Sequence, residues 1–269
     1  YANITPFLIE GEFNKMYIKN YICGHIVETV ELEKINGCVM RYRKISKNEV
    51  MDITTGEIIE VENSKNRGEQ LNSLRGTIRR LRMIINANFF GEPNELFITI
   101  TYRENMTDVK RLYRDFENFY KRLKRRYKEY KFEYINAIEP QLRGAWHMHL
   151  LLKVVNVNYL FIPNEEIAEL WGHGFTKTKR LTGVDNIGAY LSAYLTNLED
   201  GGKGVRLYLY PAGVNIYRTS RGIKRPHITY GDMRIDEEHK VYEREFEIKE
   251  DDQVVNRVTI KQYNLKRIV

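Results

Sequence analysis

Cys23 and Cys38 are all the thiols the 269-residue chain possesses, and they do not stand in a C-x-x-C spacing. That argues against a disulfide staple or a zinc ribbon and for thiols kept reduced in a cytoplasm. No apolar run approaches the length of a membrane span, and no signal peptide precedes Tyr1, where the lack of a Met suggests a processed start. No G-x-x-x-x-G-K-[ST] occurs, which excludes a P-loop and a helicase engine in this chain. Internal repeats and low-complexity tracts are also lacking. Lys and Arg total 43 against 36 Asp and Glu, a net charge of +7 that suits a polyanionic partner. This length suffices for a buried core, one catalytic domain and smaller additions.

The most informative residues present are Trp146-His147-Met148-His149, inside a run that reads as a strand. Residues i and i+2 of a strand point to one face, so His147 and His149 project together while Met148, Leu150 and Leu152 serve the other. Two imidazoles on a rigid strand make two legs of a divalent-metal site. A turn at residues 142–144 folds this strand back on the preceding one and brings Glu139 alongside as a third leg. Gln141, two residues on, is the alternative, and a hard cation prefers the carboxylate. Imidazole and carboxylate together suit Mg²⁺ or Mn²⁺, with positions left open for phosphate oxygens. Taken alone, an H-x-H is more often a pair of satisfied polar residues on a sheet.

Further along, Tyr190 and Tyr194 are spaced i, i+4 in a segment with apolar positions at Ile187, Leu191, Leu195 and Leu198. Helical geometry puts the two on one face with Cβ atoms about 5–6 Å apart. Asp185 is the expected N-cap, and Gly201-Gly202 the expected stop. With 19 tyrosines in the chain, a chance pair in a core stripe competes with a functional one.

The rest of the chain divides into three parts: 1–65, rich in short strands; 66–226; and 227–269, which reads as a hairpin turning at Asp251-Asp252. Strands are expected at 26–32, 57–61, 96–102, 132–139, 145–155 and 174–179. Helices are expected at 70–86, 107–127 and 165–171 and over the tyrosine pair. This order of elements implies an α+β fold, a central antiparallel sheet with helices on one face, the histidines on its open face, and β-rich extensions at both ends.

The ordered set resembles the three motifs of rolling-circle replication initiators, the Rep proteins of phages and Gram-positive plasmids within the HUH endonucleases. The set comprises Phe97-Ile98-Thr99-Ile100-Thr101-Tyr102, then Glu139 with Arg143-Gly144-Ala145-Trp146-His147-Met148-His149, then the tyrosine pair. The arginine-rich stretch 66–89 and Ser220-Arg221-Gly222-Ile223-Lys224-Arg225-Pro226 are similar to segments of such initiators as well. One departure is the lysine usual three residues after the tyrosine; Ala193 and Asn197 stand there. The resemblance implies a metal held by His147, His149 and Glu139. It also implies a tyrosine that attacks a phosphodiester, leaving a 5′-phosphotyrosine link and a free 3′-hydroxyl, and a host helicase as partner. Tyr194 is favoured for the opening nick, with Tyr190 serving the second transfer. A relaxase or transposase with the same core, or an origin-binding protein without catalysis, are the competing functions.

Single-stranded and origin DNA need cationic contacts. Residues 103–131 carry eleven Lys and Arg against five Asp and Glu, with Lys121, Lys124 and Arg125 at the centre. Arg143 lies in the turn beside the histidines, and Arg221, Lys224 and Arg225 form a glycine-containing loop suited to gripping phosphate. Tyr113, Tyr120, Tyr127 and Tyr130 have helical spacing, which favours packing over base stacking. Residues 232–252 hold ten acids against four bases and are expected to face away from DNA.

Overall fold

Apolar residues at every second position and at helical spacing resolve into strands and helices over the residues described by the computed structural model: 17–34, 42–46, 49–52, 55–60, 71–141, 143–196, 209–211, 213–250 and 253–267. In chain order these are β1 (Tyr17–Cys23), β2 (Ile26–Leu32), β3 (Tyr42–Lys44), β4 (Glu49–Asp52), β5 (Ile58–Glu60), α1 (Leu71–Asn86), β6 (Glu95–Ile100) and α2 (Val109–Arg126). Next come β7 (Phe132–Pro140), β8 (Trp146–Val154), α3 (Asn164–Trp171), β9 (Thr176–Lys179) and α4 (Ile187–Thr196). The chain ends with β10 (Tyr217–Thr219), β11 (His227–Tyr230), β12 (Lys240–Glu250) and β13 (Gln253–Asn264). No helix among the described residues is long and apolar enough to cross a membrane.

Two compact units result, one of residues 46–49 and 60–226, the other of 1–45, 50–59 and 227–269. In the first, five antiparallel strands run in the order β10-β7-β8-β6-β9. Strand alternation sorts their side chains into two layers. Leu96, Ile98, Ile100, Met148, Leu150 and Leu152 are buried with Leu112, Phe116, Phe119 and Leu123 of α2 and with Ile167 and Trp171 of α3. Phe97, Ile135, Ala137 and Leu151 are buried on the other face with Leu81, Ile84 and Ile85 of α1 and Ile187, Leu191 and Leu195 of α4. The expectation of helices on one face is thereby corrected. The apolar positions on both sides of β6 and β8 need cover, and α1 and α4 close over the histidine face.

The helices follow from their ends as well as their stripes. Asp108 accepts the backbone N–H groups of Lys110 and Arg111, capping α2, whose last turn carries Lys124, Arg125 and Arg126 against the negative end of the dipole. The cap of α4 falls at Asn186 and not at Asp185. Asn186 Oδ1 accepts the Ala189 N–H at 2.9 Å. Asn86, at the end of α1, takes the Gly188 N–H at 2.7 Å and donates to Asn186 at 3.0 Å. The expected stop at Gly201-Gly202 and the apolar position Leu198 lie outside the described residues, as do Cys38 and the turn at Asp251-Asp252.

Gly188 is where α1 and α4 touch most closely. A Cβ there would stand 2.4 Å from the Arg82 carbonyl oxygen and 2.7 Å from Asn86 Oδ1. Alanine gains roughly 1 kcal/mol of helix propensity over glycine, but the Arg82 oxygen belongs to a helix backbone and cannot step aside. Overpacking costs about 1–3 kcal/mol, so Gly188→Ala should be a net loss of about 1 kcal/mol, read as a lower urea midpoint. A raised midpoint would show that the helices separate freely.

In the second unit the order is β11-β1-β2-β13-β12. The segments expected as two separate extensions share this one sheet, with β13 paired to β2 from Val258↔Leu32 to Asn264↔Ile26. The ion pair of Lys261 with Glu31, at 2.8 Å, spans the same ladder. β3, β4 and β5 make a further three-stranded sheet.

Candidate active site

The β7–β8 hairpin fixes which residues face one another. Gly144 takes φ 84° in its turn, a conformation glycine adopts without penalty, and Gln141 N–H bonds the Ala145 carbonyl at 2.7 Å. The register that follows sets Glu139 across from His147 and Ala137 across from His149. On the far side of β8, His149 faces Thr99 of β6. Glu139, His147, His149 and Thr99 thus share one face of the middle strands.

His149 and Glu139 are buried, and His149 Nε2 lies 2.8 Å from Glu139 Oε2. An ionised carboxylate only accepts, so Nε2 carries the proton in this pairing and Nδ1 faces the Thr99 hydroxyl at 3.5 Å. The Phe97 ring stacks on the imidazole, 13° from parallel with centroids 5.7 Å apart. A carboxylate, a hydroxyl and a ring therefore hold His149 on three sides. His147 is half-buried at the open end of the row. The donor atoms of His147, His149 and Glu139 do not gather within 4.8 Å of one another, the closeness that Asp236, Glu238 and His239 reach. Nitrogen, nitrogen and carboxylate oxygen on one rigid face nonetheless form a donor set that suits a divalent cation. To ligate it, His149 would give up its Nε2 proton and its direct bond to Glu139. Gln141, the alternative ligand, already accepts from Arg143 Nε at 3.1 Å.

α4 brings Tyr190 to this same face. Its ring meets Phe97 edge-on at 6.0 Å, so one phenyl ring separates Tyr190 from His149. Position 194 falls one helical turn further along the same side of α4; the Tyr194 side chain lies outside the described residues.

The expected DNA contacts are distributed unevenly. Lys121, Lys124 and Arg125 are exposed on α2, the helix that covers the sheet face opposite the histidines. Their neighbours Arg122 and Arg126 are tied to α3, through the Leu170 and Trp171 carbonyls and through Glu166. Tyr113, Tyr120, Tyr127 and Tyr130 pack on the core of that opposite face. Arg143 is exposed in the hairpin turn, where its carbonyl accepts from Asn105. Arg221, Lys224 and Arg225 are exposed in their loop, but the Gly222 N–H, expected to meet a phosphate, donates to Glu133 at 3.0 Å. Ser220 bonds the same carboxylate. Asn88 brackets Lys224, accepting its N–H and donating to its carbonyl.

Sequence reading left Phe97 and Thr99 without individual roles, and Asn86 unremarked. The alternation of Phe97-Ile98-Thr99-Ile100 was the available signal for the first two, because it turns Phe97 and Thr99 to the histidine face. The Asn86 cap, a contact across 100 residues, leaves no local trace.

Residues 95–199, from β6 through the tyrosine helix, match the family model described as replication-associated protein ORF2. The match supports a replication-initiator family and a role in replication initiation. No curated protein and no solved structure matches the chain.

Proposed function

We propose that the chain is a site-specific single-strand DNA endonuclease and strand transferase that opens an origin for rolling-circle replication. The observation that carries this reading is the buried Glu139–His149 pair, with His147 beside it, on the sheet face that the tyrosine helix covers. A divalent cation, Mg²⁺ or Mn²⁺, bound there would polarise the scissile phosphate and offset charge in the transition state.

His147 and His149 supply ring nitrogens to that site and Glu139 an anionic oxygen. Phe97 and Thr99 keep the His149 ring from turning. A tyrosine oxygen of α4 attacks phosphorus, its phenol proton leaving to solvent or to a neighbouring base. The new bond joins tyrosine oxygen to the 5′-phosphate; the bond that breaks is phosphorus to O3′, which takes up a proton as the free 3′-hydroxyl. One phosphodiester replaces another, so rejoining requires no nucleotide. Unwinding beyond the nick falls to a host helicase.

A test uses single-stranded oligonucleotides with a randomised centre, incubated with the protein and Mn²⁺. A protein–DNA adduct that survives denaturation, together with an extendable 3′-hydroxyl product, is expected. Sequencing the captured strands then gives the origin. Binding of the pool without any adduct would favour an origin-binding protein that lacks catalysis.

A further inference from the structure

β9 closes one side of the five-stranded sheet, bonded to β6. Its side chains alternate between two environments. Thr176 and Thr178 turn toward α3, where both hydroxyls bond Asn164 Oδ1 at 3.2 and 3.1 Å. Lys177 and Lys179 consequently turn to the histidine face, where both are exposed. There they stand across from Thr99 and Phe97, the two side chains that hold His149. Phe175 continues the alternation one step earlier. Its carbonyl accepts the Thr101 N–H at 2.9 Å, and it is 65 % exposed.

This places an exposed ring and two ammonium groups in one line, with same-face neighbours roughly 6.6 Å apart along the strand. The line borders the candidate active site. One row across the sheet runs Tyr217, Ala137, His149, Thr99, Lys177, so Lys177 stands two strands, roughly 10 Å in backbone terms, from His149. No acidic residue occurs between Gly172 and Val184. Just past Lys179, the Arg180 guanidinium lies over the Tyr159 ring at 4.6 Å, and that ring is 60 % exposed.

Lysines on an edge strand also guard against pairing with another chain. That role explains the charge but not the phenyl ring left in solvent between them and the turn, since an apolar side chain weakens the guard. A single nucleic-acid strand explains both, its phosphates meeting the ammonium groups and an unpaired base stacking on the ring. A duplex keeps its base faces stacked inside and gives Phe175 no partner.

We infer that the β9 edge, through Phe175, Lys177 and Lys179, is the track by which a single DNA strand reaches the histidine pair. The inference rests on the endonuclease reading for its substrate, yet binding can be measured without cleavage. The experiment follows anisotropy of a labelled single-stranded oligonucleotide of about 20 nucleotides, longer than an ordinary single-strand site, in EDTA across a salt series. Changing both lysines together, Lys177→Ala with Lys179→Ala, should flatten the log–log salt dependence by about 1.4, at roughly 0.7 per phosphate contact on a single strand. Phe175→Ala should weaken binding about tenfold with the slope unchanged, and Phe175→Trp should restore it.

Undiminished affinity and slope in the double-lysine variant would overturn the track, as would failure of the wild type to bind a single strand. New self-association of that variant, with binding intact, would assign the lysines to guarding the edge instead. Adduct formation run in parallel separates the two proposals. Wild type that forms the adduct while the β9 variants bind undiminished loses the track and keeps the endonuclease. Binding that depends on β9, with no adduct under any condition, keeps the track and removes the endonuclease.

Discussion

Replacing His147 by alanine should abolish nicking, by at least about a thousandfold, with single-strand binding nearly unchanged. A bound divalent ion contributes several kcal/mol to a phosphoryl transition state, and about 4 kcal/mol corresponds to that factor in rate. The half-buried position of His147 makes it the cleaner of the two histidine tests, because the His149–Glu139 pair stays intact. His149→Ala should lose as much activity and also stability. It strands Glu139, which is buried, and removing one partner of a buried pair costs about 3–5 kcal/mol unless the carboxyl takes up a proton. Nicking rates set beside urea midpoints for the two variants therefore divide chemistry from folding. EDTA should reproduce the His147→Ala rate in wild type, and Mn²⁺ should restore it. Full activity in EDTA would remove the metal from the proposal.

The tyrosines should part company under conservative change. Tyr194→Phe should eliminate the covalent adduct, while Tyr190→Phe should still nick and then fail to transfer the strand. Phenylalanine keeps the ring that meets Phe97, so the Tyr190 variant removes a hydroxyl without disturbing that packing. A free phenol titrates at about 10, so either tyrosine needs activation at neutral pH, and whichever phenol the site activates dominates the first step. Denaturing gels with labelled oligonucleotide decide the order. An adduct that persists in Tyr194→Phe and vanishes in Tyr190→Phe reverses it, and one that persists in the double variant removes the tyrosines altogether. A Tyr190→Phe protein that nicks and transfers normally would leave Tyr190 a packing residue.

The strands that carry the site could be read from residues alone because strand geometry has a period of two. His147 and His149 had to share a face, and a short turn had to bring Glu139 near. The register that sets Glu139 opposite His147 agrees with that reasoning. Alternation had more to say than was taken from it, since it also turns Phe97 and Thr99 toward His149 and lines up Phe175, Lys177 and Lys179. The cover on the histidine face was missed for a different reason. An amphipathic helix such as α1 shows that one side is buried but not which surface buries it. The basic cluster at 121–126 misled similarly, because charge along a helix does not tell which side of the sheet the helix lies on. Asn186 displaced Asp185 as the cap because Asn86 reaches it from another helix.

The division of the chain into units also bears on how the protein emerges from a ribosome. Residues 60–226 are continuous and finished before the last two strands are made, so the sheet with the histidines has all its parts while synthesis is still under way. The other sheet cannot close then. β1 and β2 are among the first residues translated, whereas β13, which must lie between β2 and β12, is among the last. Until it arrives, β2 has an unpaired margin, and a chain interrupted before β13 would carry a finished nuclease layer beside an open strand edge.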